Sequence, residues 1–206
     1  MTEAVTRAER KQRTHQALLD AALEQLHDRS LSSLSLREVS RSAGVVPTAF
    51  YRHFDSMDDL GVTLVDQAMR SLRQMLRDAR RNPSHDLVVG SVAILQRQVR
   101  ANEDHFRFLL RERNGGVADV RRAISAELRL FTSELSTDLA SMPVWRDAQI
   151  LPELDIAADL MVSAMLTIVQ ELLDIDVARE APIIRRAEKQ LRLIAIGMIG
   201  WRVTPG

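Results

Sequence analysis

Two helix signals set a few residues apart dictate a tight helical corner between Ser35 and Phe54. Ser35 and Glu38 have the S-x-x-E spacing of a capping box. The hydroxyl accepts from the backbone N–H three residues on and the carboxylate returns the bond, so a helix begins at Leu36. Gly44 ends that helix, because glycine takes the left-handed conformation that closes a last turn without a Cβ clash. Val45 plugs the turn, and Pro47 suits the first position of a second helix, where its missing N–H has no intrahelical partner to lose. Leu36, Val39 and Ala43 give the first helix an apolar side. Ala49, Phe50 and Phe54 give the second one a side that packs beneath it.

The opposite side of the second helix carries Thr48, Tyr51 and Arg52 at i, i+3, i+4, with His53 at its edge. A short helix that is apolar below and shows hydroxyls and a guanidinium above has the make-up of a DNA recognition helix. Arginine reads guanine edges, and Thr and Tyr bind phosphate or touch a thymine methyl. By this reading Arg52 and Thr48 read bases, Tyr51, His53, Ser35 and Arg37 hold phosphates, and Pro47 lies on the same face. An ordinary helical hairpin with a glycine turn has the same spacing and stays open here.

The chain has 206 residues, enough for one large domain or two small ones sharing a core. Aromatics make up only 4% against 46% apolar residues, so the core is built from Leu, Ile, Val, Ala and Met. With 8 Gly and 6 Pro, long helices with few turns are expected. The absence of cysteine excludes a disulfide framework and thiolate metal sites. The first residues are charged, unlike a signal peptide, and no apolar run reads as long enough to span a bilayer, so no membrane partner is expected and the cytoplasm is the simplest home. Net charge is zero, so any DNA-binding charge must be local. Arg7, Arg10, Lys11 and Arg13 form a basic N-terminal arm joined by Arg37, Arg41 and Arg52, while Asp20, Glu24 and Asp28 fall on another face of the first helix.

Apolar periodicity predicts an all-α fold of about nine helices. A first helix from about Arg7 to Arg29 joins the two short ones in a three-helix helix-turn-helix domain, residues 1–55. Residues 56–206 form a ligand-binding and dimerisation domain, entered by a long rod from about Ser56 to Arg81 with a basic run at Arg70, Arg73, Arg77, Arg80 and Arg81. Helices follow at about Ser84–Ala101, Glu103–Arg113 and Val117–Ser141, and Met142–Pro152 is a loop holding Trp145. The last two helices, about Glu153–Ala178 and Pro182–Arg202, have apolar faces broad enough to be buried on two sides. One side serves the chain's own core; the other calls for the same pair from a second subunit, a homodimer interface through Ile168, Leu172, Leu191, Ile194 and Met198.

No catalytic motif is present, and the five histidines are scattered without ligand spacing, so neither catalytic residues nor a metal or other cofactor is expected. Asp155 and Asp159 share a helix face, where solvation or capping explains them.

The run A-G-V-x-x-x-x-x-Y-x-H-F from Ala43 to Phe54, after a short capped helix, resembles the hallmark of the TetR family of bacterial transcriptional regulators. Leu60-Gly61-Val62-Thr63-Leu64-Val65-Asp66 and the segment from Phe106 to Arg113 look like the FabR/DesT type within it, repressors of unsaturated fatty-acid synthesis. Met57, followed by Asp58 and Asp59, stands where many members have a phosphate-binding lysine, and an apolar residue there also fits that type. The resemblance implies a dimer on a double-stranded DNA operator, acting as a repressor of fatty-acid biosynthesis genes, with a long-chain acyl-CoA as the small hydrophobic effector. An acyl slot is then expected around Phe106, Leu109, Phe131, Met165 and Val169, with Arg73, Arg77, Arg111 and Arg113 near the CoA phosphates. Two other readings remain: a repressor of the multidrug type sensing another hydrophobic compound, which needs no such arginines, and a helix-turn-helix protein that senses no ligand. A small helical enzyme whose first helices only mimic the motif is the alternative from another class.

Overall fold

The computed structural model describes residues 6–81, 86–142 and 153–201, with the side chains at 71, 75, 76 and 78–81 outside the description. Among the described residues it holds nine α-helices and no strand, as the apolar periods predict. They are α1 (Arg7–Gln25), α2 (Leu36–Ser42), α3 (Pro47–Phe50), α4 (Met57–Arg81), α5 (Leu87–Ala101), α6 (Glu103–Glu112), α7 (Ala118–Ser141), α8 (Leu154–Leu173) and α9 (Ala181–Gly200). Short 3-10 turns occupy Leu31–Ser33 and Val177–Arg179. The expected helix start at Ser84 and the Trp145 loop, like the side chains of Met75, Ala79, Arg80 and Arg81, lie outside the described residues.

The chain divides into two compact units, Met1–Ala68 with Asp104–Ile124, and Met69–Glu103 with Ser125–Gly206. The unit carrying the corner is thus larger than the three helices before residue 56. Its core contains Leu18, Leu19, Ala22, Leu26, Leu31, Val39, Phe50 and Phe54, joined by Leu60, Leu64, Phe106, Phe108 and Val120. Leu36, on the expected apolar side of α2, is only half-buried. α2 packs on both α1 and α3. Gly61 permits a close approach: a Cβ there would press on Leu31 Cδ2 and lie 2.7 Å from Val120 Cγ2.

Residues of α6 are tied by polar contacts to the end of α1. Arg111 donates from Nη1 to the carbonyls of Leu26 (2.7 Å) and Arg29 (2.8 Å) and from Nη2 to that of His27 (2.9 Å). These carbonyls at a helix C-terminus have no intrahelical partner, and a guanidinium satisfies them with charge of the favourable sign. Glu112 is buried and accepts from the Leu31 backbone N–H at 2.8 Å. Asp104 meets His27 Nδ1 at 2.9 Å.

The second unit is built on α5, α8 and α9, which pack mutually. Buried Glu180, at the start of α9, takes hydrogen bonds from Gln96 and Arg100 of α5. Arg100 also donates to the carbonyls of Leu172 (2.8 Å) and Ile175 (3.0 Å), so one guanidinium ties α5 to the end of α8 and the start of α9. Burial works against the charge of Arg100, but its hydrogen bonds to Glu103 and Glu180 outweigh that and raise its pKa.

The expected dimer interface needs correction. Ile168, Leu172, Leu191 and Met198 are buried within the chain's own core, and Ile194 packs against the cluster of Leu139, Leu154, Ala157, Ala158 and Met198. The apolar side chains of α8 and α9 that remain exposed are Ile156, Leu160, Leu193, Ile196 and Ile199. A broad apolar helix does have two faces, but the better filled one here is the inner one. The expectation that no apolar run is long enough to span a bilayer also fails. By length and composition Leu154–Leu173 is such a helix, its acidic residues Asp155, Asp159 and Glu171 lying in the turns near its two ends. Its inner face is covered by α5 and α9.

Candidate DNA-binding face

The corner between α2 and α3 forms as its capping residues require. The Glu38 N–H donates to Ser35 Oγ at 3.2 Å and the Ser35 N–H to Glu38 Oε2 at 2.9 Å. At the other end Gly44 has φ 69, the Val45 N–H reaches the Ser40 carbonyl at 2.9 Å and the Gly44 N–H that of Arg41 at 3.1 Å. That pair of bonds is a Schellman closure. Pro47 opens α3, with Val46 as an N-cap whose side chain makes no cap bond. α3 has 4 helical residues and then tightens, the Arg52 N–H bonding to Ala49 and the His53 and Phe54 N–H groups to Phe50. Underneath, Phe50 and Phe54 are buried 5.4 Å apart, centroid to centroid, and fix which side of this turn faces outward.

Outward, Pro47, Thr48, Tyr51 and Arg52 are all exposed, and so are Arg37 and Arg41 of α2. Tyr51 stands edge-on to Phe50 with its ring mostly free. Ser35 is exposed, yet its hydroxyl already serves Glu38 in both directions, donating to Oε2 at 2.8 Å. A phosphate would compete with that bond. The Ser35 side chain and backbone, with Arg29, hold the Glu38 carboxyl below its ordinary pKa, so it stays ionised and keeps the cap.

His53 is half-buried, 5.9 Å from the ring of His15, which stacks on Phe54 at 4.6 Å. Burial, then the nearby positive groups His15, Lys11 and Arg52, lower the pKa of His53. At neutral pH it therefore offers a neutral ring to a phosphate, not a charge. The same contacts bring the start of α1 beside this face. Arg7, Arg10, Lys11 and Arg13 are not an arm but exposed residues of the first turns of α1, whose N-cap Thr6 forms a second capping box with Glu9. The first turn of α4, at Met57, Asp58 and Asp59, is acidic; Asp59 takes the Asp55 N–H at 3.0 Å. The exposed positive charge near this face thus lies on α1, α2 and just past the end of α3.

The residues expected around an effector are distributed between the two units. In the first, Phe106 and Leu109 are buried, Arg113 is exposed and Arg111 is engaged on α1. In the second, Phe131 and Val169 are buried, Met165 is half-buried, and Arg77 is exposed and bonded to Gln74 of its own helix. Arg73 pairs with Glu127 and lies 3.7 Å from Glu134, both on α7. Three of the four arginines therefore already have partners within the protein, Arg73 with carboxylates, Arg111 with backbone carbonyls and Arg77 with a side-chain amide. The sequence holds one signal for these contacts: Glu112 falls four residues after Phe108, on a buried helical face. Nothing in the sequence points to the partners of Arg73 and Arg111.

The fold and face define an all-helical protein with an N-terminal helix-turn-helix. Residues 18–61 match the model of bacterial regulatory proteins, tetR family. The match falls on the helix-turn-helix segment of the first unit, which is similar to the DNA-binding segment of that family. In fold it is similar to the fatty acid degradation regulator FadR from Bacillus halodurans, at 14% identity over 92% of this chain and 97% of that one, with a TM-score of 0.70. It is also similar to NalD, the secondary repressor of the MexAB-OprM multidrug efflux pump in Pseudomonas aeruginosa, at 21% identity over 94% and 100% of the two chains, TM-score 0.67. A third is SCO4454, a TetR-family transcriptional regulator from Streptomyces coelicolor, at 18% identity over 91% and 96%, TM-score 0.68. At such identities these likenesses speak for the fold.

Proposed function

We propose that the chain is a homodimeric cytoplasmic repressor that binds a pseudo-palindromic DNA operator and changes its grip when a small hydrophobic effector binds. The observation that carries the reading is the sorting of the α3 turn, with Phe50 and Phe54 buried and Thr48, Tyr51 and Arg52 exposed beside Arg37 and Arg41. Arg52 and Thr48 read bases; Tyr51, Arg37 and Lys11 hold the backbone. The dimer contact is the exposed side of α8 and α9, at Leu160, Leu193 and Ile196, and a pseudo-palindromic operator offers one half-site to each turn in successive major grooves, roughly 34–36 Å apart. The match of residues 18–61 to the tetR family supports the DNA-binding part.

For the effector, the resemblance to repressors of unsaturated fatty-acid synthesis favours a long-chain acyl-CoA, and the likeness to FadR from Bacillus halodurans is in keeping with it. The commitments of Arg73 to Glu127 and of Arg111 to the α1 carbonyls favour a second reading, a hydrophobic compound without phosphates. The likeness to NalD is in keeping with that. Either effector acts only through a difference in affinity between the DNA-gripping and DNA-releasing states. Operator titrations with saturated acyl-CoA, unsaturated acyl-CoA, free CoA and a panel of hydrophobic drugs separate the two. A response to an acyl-CoA but not to CoA supports the first; a response to drugs alone supports the second. Silence across all four leaves a regulator without this kind of effector.

A further inference from the structure

We propose that Val46 is a specificity-determining residue that reads the methyl group of one thymine in each half-site. The inference rests on the DNA-binding reading above and deepens it. Val46 is 64% exposed, as open as Tyr51 in the same turn, although its neighbour Val45 is half-buried and plugs the corner. It stands at the N-cap of α3, a position that Ser, Thr, Asp and Asn fill best because their side chains bond the free N–H groups, and no such bond is made here. One residue therefore breaks two local rules together, an apolar side chain in water and a cap without an acceptor. Such breaks concentrate where a residue serves function.

The side chain is also held ready. Pro47 restricts the backbone of Val46, the Val46 carbonyl accepts the Ala49 N–H at 2.8 Å, and branching at Cβ leaves few rotamers to lose. Residues at the start of a recognition helix are the ones that meet base edges. Among the four bases only thymine shows an apolar group in the major groove, its C5-methyl, and a rigid isopropyl group is its complement. Thr48, exposed in the same turn, shows a methyl of its own and is the competing reader.

The test starts from a duplex selected out of a random library by the full-length protein. Each thymine is then replaced by uracil, which removes the methyl and nothing else, and affinities are measured for the parent, Val46→Ala, Val46→Ser and Thr48→Ser. Loss of one buried methyl contact is worth about fourfold in affinity, so uracil at one symmetry-related pair of positions should weaken the parent about fifteenfold. That same pair should be silent in Val46→Ala, whose affinity for the thymine duplex is already reduced. Val46→Ser restores a capping hydroxyl, so it should melt no lower than the parent while losing the discrimination. Strictly additive effects of uracil and Val46→Ala at every position would overturn the proposal. So would discrimination that disappears in Thr48→Ser instead, or a Val46→Ser protein that keeps it and melts lower. If no duplex is enriched at all, the DNA-binding reading fails with it; an enriched duplex with additive effects removes this inference alone.

Discussion

Replacing Leu193 and Ile196 together by alanine should break the proposed dimer and leave the protomer folded. The two side chains are 68% and 63% exposed in the single chain, so their truncation removes little from its own core. Fully burying a Leu or Ile side chain is worth about 1.5–3 kcal/mol, and with about two thirds of each still to be covered the association gains on the order of 1 kcal/mol per side chain. A two-fold interface counts each residue twice, giving about 4 kcal/mol, or roughly a thousandfold rise in the dimer dissociation constant. Gly197 and Gly200 are on the same helix, and a Cβ at either would meet open space, which leaves room for a partner backbone. The comparison variant is Met198→Ala. Met198 is 4% exposed, so this change should cost about 2–5 kcal/mol of folding stability through the cavity it leaves. Sedimentation equilibrium over a concentration series reads the first effect, and denaturant unfolding reads the second. An unchanged dissociation constant for the Leu193→Ala/Ile196→Ala protein would refute the placement of the interface on this face.

Three further outcomes follow from contacts within the units. Gly61→Ala gains about 1 kcal/mol in helix propensity, but overpacking against buried Leu31 and Val120 costs about 1–3 kcal/mol, so thermal melting should show a net loss on the order of 1 kcal/mol. Glu180→Ala leaves Arg100 without its buried partner and should destabilise by about 3 kcal/mol in urea unfolding, whereas Arg192→Ala, whose pair with Asp86 is exposed, should cost under about 1 kcal/mol. The folded pKa of His53 lies below its ordinary 6.5, so the unfolded chain takes up that proton more readily. Its contribution to stability is complete above 6.5 and is lost as pH falls through the folded value. His53→Gln should therefore flatten the acid side of a melting-temperature profile, and a profile identical to the parent's would remove this origin.

Elements whose boundaries are set by local chemistry are legible in the amino-acid sequence alone. Ser35 with Glu38, Gly44 and Pro47 each act on backbone groups within a few residues, and each does in the fold what its spacing predicts. Helical periodicity likewise places Leu19, Ala22, Leu26, Val39, Phe50 and Phe54 in one core. The misplaced interface and arginines depend on long-range packing. Periodicity shows that α8 and α9 have apolar residues nearly all round, but which stripe turns inward depends on α5, a helix far away in the chain. That is why Ile168, Leu172, Leu191 and Met198 belong to the interior while Ile156, Leu160, Leu193 and Ile196 face out. Arg73 and Arg111 look like free cations until α7 and the end of α1 bring them glutamates and carbonyls. Val46 escapes a sequence reading for a different reason: polar groups are sought on a DNA-reading face, and an exposed valine attracts notice only once its neighbours are seen to be buried.

Sequence-selective DNA binding by the α3 turn is the claim on which the rest depends. The direct measurement is a fluorescence-anisotropy titration of the full-length protein and of Arg52→Ala against the selected duplex and a scrambled duplex, at two salt concentrations. The parent should prefer the selected duplex by about a thousandfold or more, with affinity for both falling as salt rises. Arg52→Ala should lose on the order of 1–3 kcal/mol on the selected duplex, roughly 5–150-fold, and much less on the scrambled one. Equal affinity of the parent for the two duplexes, or an Arg52→Ala protein indistinguishable from it on both, would contradict the central claim.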